Sequence, residues 1–103
     1  MTTIDLSYQR LTEIPEWLKD RDDVIKLNLS YNNITEIKNL PPNLKCLKLN
    51  DNQITEIKNL SNTLQELRLS DNNITEIKNL PTNLQKLCLC YNNITDIQNL
   101  PNT

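Results

Sequence analysis

Cys88 and Cys90 stand two residues apart, and Asp51 and Asp71 hold the same place in two successive copies of a repeated phrase. Two thiolates so close supply half of a tetrahedral zinc site. Two carboxylates held together can share a proton. The rest of the chain completes neither arrangement. Cys46 is the remaining cysteine, and His, the commonest metal ligand and a frequent general base, is absent. Cysteines at i and i+2 of a strand share a face and are poorly placed to bond each other. All three are read as free thiols, and no metal or other cofactor is expected. Asp51 and Asp71 are expected on a shallow solvated face, with no enclosing pocket and no nucleophile–base pair. Glycine is absent as well, which excludes Gly-rich phosphate loops. These residues point away from an enzyme and toward a surface.

Charge narrows the partner. The 103 residues carry 11 basic and 13 acidic side chains, for a formal net charge of −2. Nothing in that balance favours nucleic acid or an anionic membrane. No apolar run approaches the ~18–20 residues of a membrane span. Met1 to Leu6 lack the basic start and apolar run of a signal peptide. An odd, sparse cysteine set is not a disulfide framework, so a cytoplasmic, reducing location is expected. N-x-[ST] triplets at Asn28, Asn33, Asn59, Asn73 and Asn93 are read as by-products of a repeated Asn-Ile-Thr phrase, not as glycan sites.

That phrase governs the whole chain. Residues 33–40 recur unchanged at 73–80, and with small changes at 53–60 and 93–100. The units are 24–43, 44–63, 64–83 and 84–103, preceded by a divergent 1–23. Together they predict a single domain over 1–103. Apolar residues fill unit positions 1, 4, 6, 11, 14 and 17, as in Leu44, Leu47, Leu49, Ile54, Ile57 and Leu60. The first unit offers Met1, Ile4, Leu6, Leu11, Ile14 and Trp17 for the same places. An amphipathic helix would not give this spacing. Positions 3 to 7 alternate and predict a short strand. So short a unit cannot bury its own apolar face, and stacking joins the slots into one core. Position 9 holds Asn32, Asn52, Asn72 and Asn92, with Gln9 in the first unit. An asparagine amide there can satisfy buried backbone of its own turn and the next.

The pattern L-x-x-L-x-L-x-x-N-x-I resembles the leucine-rich repeat family across essentially the whole chain. The 20-residue length resembles the short repeats of bacterial effectors, and the Ile-x-x-Ile pair resembles the phosphatase-regulator subclass. An Asn-, Ile- and Lys-rich composition without Gly or Ala suggests an AT-rich bacterial or giant-virus genome. The resemblance implies a leucine-rich repeat solenoid of the α/β horseshoe class. Its concave face would carry a parallel β-sheet with one short strand per repeat, and its convex side would be mostly extended or turn-like. Residues 1–23 are expected to cap the N-terminal end, with a helical turn after Pro15 and Trp17 over the core.

In-register stacking turns every polar position into a row. Like charges at Lys48 and Arg68 would lie on adjacent strands, unfavourably unless Glu66 or Asp71 compensates, and could receive an acidic partner. Tyr8, Tyr31, Asp51, Asp71 and Tyr91 form another row, and tyrosine is a common interface anchor. These seven residues are the expected partner-binding set of a non-catalytic module that takes a protein or peptide. On the convex side, Glu13, Glu36, Glu56, Glu76 and Asp96 run beside Lys38, Lys58 and Lys78 and are expected to compensate one another. The last unit would be half covered, with strand 84–90 as an open edge. That leaves two alternatives: self-association through Leu84, Leu87 and Leu89, or the recognition fragment of a larger effector or ubiquitin ligase, the latter by family resemblance alone.

Overall fold

The computed structural model describes residues 1–97. Its strands are β1 (Thr2–Asp5), β2 (Val24–Asn28), β3 (Cys46–Lys48), β4 (Glu66–Arg68), β5 (Glu76–Ile77), β6 (Lys86–Cys88) and β7 (Asp96–Ile97). One parallel sheet runs in the order β1-β2-β3-β4-β6, and β5 pairs with β7 in a second. Each coil thus contributes one strand to the main sheet and returns by turns and extended chain. The fold is a solenoid of stacked coils with a parallel sheet on the concave face. No helix among the described residues is long and apolar enough to cross a membrane.

Register is uniform. Thr3, Lys26, Cys46, Glu66 and Lys86 align across the sheet, as do Asp5, Asn28, Lys48, Arg68 and Cys88. The longer first coil is absorbed by a shift between Thr2 and Thr3. β3, β4 and β6 are shorter than positions 3 to 7 predict. Backbone pairing nonetheless continues past them, from Leu49 N–H to Arg68 and from Asp51 N–H to Ser70.

The core follows the sequence period. Val24, Leu44 and Leu64, the paired leucines of β2, β3 and β4 with Leu29, Leu49 and Leu69, and the isoleucines Ile34, Ile37, Ile54, Ile57, Ile74 and Ile77 are all buried. Leu40, Leu60 and Leu80 at position 17 are only half-buried. In the last coil Leu84, Leu87, Leu89 and Ile94 are half-buried against the core. The Ile97 side chain and the Leu100 slot lie outside the described residues.

Two first-unit expectations are corrected. Trp17 is 50% exposed, and Leu18 is fully buried in the slot instead. The turn after Pro15 forms as a 3-10 helix over Glu16–Asp20, and its phase turns residue 18 inward. Met1 is 97% exposed, because β1 starts at Thr2 and nothing packs over its outer end among the described residues.

What joins coil to coil is asparagine. Asn52 Nδ2 donates to Leu49 and Asn50 carbonyls in its own coil, and at 3.0 Å to Leu29 in the preceding one. Its Oδ1 accepts from Ile34 N–H at 2.9 Å. Asn72 and Asn92 repeat the pattern, and Asn32 Oδ1 accepts from both Gln9 and Leu11 N–H. The amide therefore reaches back to the preceding coil, not forward to the next. Gln9 itself is exposed, and its side chain donates only to the Ser7 carbonyl. A second row is Asn39, Asn59 and Asn79, all at positive φ, which donate to Ile14, Ile37 and Ile57 carbonyls. Asparagine tolerates that left-handed conformation better than most residues.

At the other end, Asp23 clamps β1. Its carboxylate accepts from Arg21 at 2.9 Å and from Thr2 Oγ1 at 2.8 Å, beside the Thr2 N–H bond to the Asp23 carbonyl. The Arg21 guanidinium, then the Thr2 hydroxyl, hold the carboxyl well below the usual range.

Two predictions follow from these contacts. Asn72→Ala orphans the Ile54 amide and leaves the Leu49 and Leu69 carbonyls short of a donor. Each unsatisfied buried group costs ~1–3 kcal/mol, so urea unfolding should register a loss of roughly 2–4 kcal/mol. Asn73→Ala, at the adjacent exposed position, should stay within about 0.5 kcal/mol; equal losses would contradict the ladder. The second concerns acid. A carboxylate with a depressed folded value binds fewer protons than in the unfolded chain, so its contribution is fully present above the ordinary carboxylate range and is lost as pH falls through the folded value. The melting temperature should therefore begin to drop below about pH 5 and go on falling below about pH 3, with Asp23→Asn shallower than the parent. A rise on acidification would contradict this.

Candidate functional site

The open face of the main sheet carries rows 3 and 5, and the rim where the chain leaves the sheet carries row 8. Row 8 places Tyr8, Tyr31, Asp51, Asp71 and Tyr91 side by side, all at φ between 57 and 60°. That conformation costs an ordinary L-residue about 1–2 kcal/mol. Tyr8 and Tyr31 stack with ring centroids 4.5 Å apart and planes 5° from parallel. They remain 69% and 47% exposed, and Tyr91 is 81% exposed. The Asp51 carboxylate, ahead of the Tyr8 hydroxyl, holds the Tyr31 phenol above its usual range. It therefore stays a neutral hydrogen-bonding group at neutral pH.

Rows 3 and 5 sort their charges unevenly. Lys48 and Arg68 are cross-strand neighbours as expected. Glu66, not Asp71, compensates Arg68, with Nε to Oε2 at 2.6 Å. Hydrogen bonding from Arg68 holds the Glu66 carboxyl below its usual range. Lys26, Lys48 and Lys86 form no ion pair among the described residues. Between these side chains a cavity of about 190 Å³ opens over β2 and β3, lined by Thr3, Lys26, Asn28, Cys46, Lys48 and Glu66. Lys26, Cys46 and Glu66 were not among the seven predicted residues. Their signal was present in row 3, where the short Cys46 sits between two long side chains.

The convex wall behaves differently. Lys38 meets Glu13 at 3.1 Å, Lys58 meets Glu36 at 2.8 Å and Lys78 meets Glu56 at 3.1 Å, each bridging to the preceding coil. Lys58 and Lys78 also approach Glu56 and Glu76 of their own coils. This is the mutual compensation expected there; Asp96, the last of the acidic row, has no described side chain.

The cysteines stay apart in role. Cys46 is half-buried on β3, Cys88 half-buried on β6 and Cys90 exposed beyond it. Burial, then Glu66, pushes the Cys46 thiol up. Leu84, Leu87 and Leu89 surround β6, an outer strand of the five-stranded sheet.

Coils joined by one strand each, with leucines at fixed places and an asparagine at each turn, define a leucine-rich repeat solenoid. A family model described as Leucine Rich repeat matches residues 41–56 and 60–76, which lie in adjacent coils. Those two coils carry leucine-rich repeats, and the stacked coils on either side of them share the same solenoid fold. No curated protein matches the chain. Repeats of this family commonly mediate protein–protein interaction and are generally non-catalytic.

Thiol reactivity reports the placement directly, because the thiolate is the nucleophile and needs access. Alkylation at neutral pH, followed by peptide mapping, should modify Cys90 first and Cys46 slowly. Faster modification of Cys46 would contradict its half-buried, undissociated state.

Proposed function

We propose that the chain is a non-catalytic module that receives a protein or peptide on its concave face. Tyr8 and Tyr31, with Lys48, Arg68, Asp51, Asp71 and Tyr91 around them, would form the contact surface. One observation carries the reading: two stacked tyrosines stand largely in water on a wall that has no internal use for them. Exposed, pre-stacked rings lose little conformational freedom on binding, and tyrosine is enriched among residues that dominate interface energies. The row's backbone adds support. Glycine would fit the left-handed position without steric cost, yet Tyr and Asp are held there with their side chains outward. The three free thiols suit a reducing compartment such as the cytoplasm.

Self-association is the second reading. It rests on the half-buried Leu84, Leu87 and Leu89 around edge strand β6, where backbone groups are available to another chain.

The test is affinity capture of a partner by the folded protein. Tyr8→Ala/Tyr31→Ala should weaken capture by more than about tenfold, since a hot-spot residue is worth ~2 kcal/mol or more. Lys38→Gln/Lys78→Gln on the convex wall should not, with circular dichroism confirming that both variants are folded. Undiminished capture by the tyrosine variant would contradict the concave-face reading.

A further inference from the structure

The lysines of the two walls differ in one respect. Lys38, Lys58 and Lys78 on the convex side each have a glutamate within 3.1 Å. Lys26 and Lys48 on the concave side have none among the described residues, although they stand around the same cavity. Lys26 is the cross-strand neighbour of Cys46, and Lys48 lies two residues along β3 on the same face. Strands lie about 4.8 Å apart and residues i and i+2 about 6.6 Å apart. Both lysine stems therefore rise beside one short side chain, and the dip over Cys46 is the result. The cavity's acidic member, Glu66, is committed to Arg68 at 2.6 Å. Two like charges consequently share a recess whose one acidic lining residue, Glu66, is ion-paired to Arg68, and neither lysine forms an ion pair among the described residues.

We propose that the recess over Cys46 is a carboxylate subsite that takes an Asp or Glu side chain from an acidic segment of the partner, with Lys26 and Lys48 as its two cationic walls. This rests on the concave-face reading and adds the chemistry of what is recognised there. Ammonium groups on flexible stems serve a carboxylate as point charges. Arg68, whose planar fork would favour a phosphate, is already engaged through its Nε by Glu66. The cationic pair also differs from the pair that sequence adjacency suggests: Lys48 keeps its place, but Lys26 replaces Arg68. The stacked Tyr8 and Tyr31 lie toward the same N-terminal end of the sheet, so one segment can meet both features.

The experiment is fluorescence anisotropy with a short labelled peptide of alternating Asp and Glu, its Asn/Gln twin, and a phosphoserine peptide of matched charge. The acidic peptide should bind the parent protein, weaken as salt rises, and slow alkylation of Cys46; the amide twin should not bind. Lys26→Gln/Lys48→Gln should weaken binding about tenfold or more, and Lys38→Gln/Lys78→Gln, which removes equal charge from the convex wall, less than about twofold. Equal losses in the two lysine pairs, no binding by the acidic peptide, or binding of the phosphopeptide alone would each overturn the subsite. If the acidic peptide fails while partner capture still depends on Tyr8 and Tyr31, only this inference falls. If capture loses its tyrosine dependence while the acidic peptide still needs Lys26 and Lys48, the broader reading falls and the subsite stands.

Discussion

The structure depends on one amide per turn. A coil of this length must reverse direction inside its own core, where backbone donors and acceptors cannot reach water. Asn32, Asn52, Asn72 and Asn92 supply both kinds of partner from one side chain, and each serves two coils at once. The bonding runs from each asparagine to the coil before it. Every coil therefore completes the polar interior of its predecessor, and no unit is self-sufficient even before its apolar face is counted. Asn39, Asn59 and Asn79 do the same work on the return path with a single donor each. Apolar stacking provides the driving force, and these amides set the distance and register at which it acts.

With register fixed, the surface becomes an array whose columns are unit positions. Positions that repeat the same residue give uniform columns, and the convex Glu and Lys columns neutralise each other from coil to coil. Positions that vary give columns of mixed character, and those of the sheet face and its rim bring unlike charged and aromatic residues together. There the chain has Tyr beside Tyr, Lys beside Cys, and Arg beside Lys. The same scaffold thus presents one wall that satisfies itself and one that does not. The unsatisfied wall is where binding free energy is available, and that contrast, more than any single residue, supports a recognition role.

Much of this was legible in the sequence because a strict period makes register readable. The buried leucines and isoleucines of residues 24–77, the alignment of Lys48 with Arg68, and the adjacency of Tyr8 and Tyr31 all follow from counting. The first coil broke the count. Its extra residues shift the phase, and the 3-10 turn brings Leu18 inward where a fixed period offers Trp17. The second asparagine row was visible as a repeated Asn-Leu pair, but nothing in the letters says that its backbone is left-handed. Charge pairing was legible only where both columns were uniform. That Glu66 closes on Arg68 and leaves Lys26 and Lys48 open depends on rotamers, which spacing does not specify.

Hydrogen exchange at the amides of Ile34, Ile54 and Ile74 tests the central claim most directly. None of the three lies in a strand, and each donates to the asparagine of the following coil. If the amide ladder holds the coils together, these protons should exchange as slowly as those of Leu29, Leu49 and Leu69, which pair across the sheet. Exchange at the rate of exposed turns, with the sheet amides still protected, would show that the coils are joined by the sheet and apolar stacking alone.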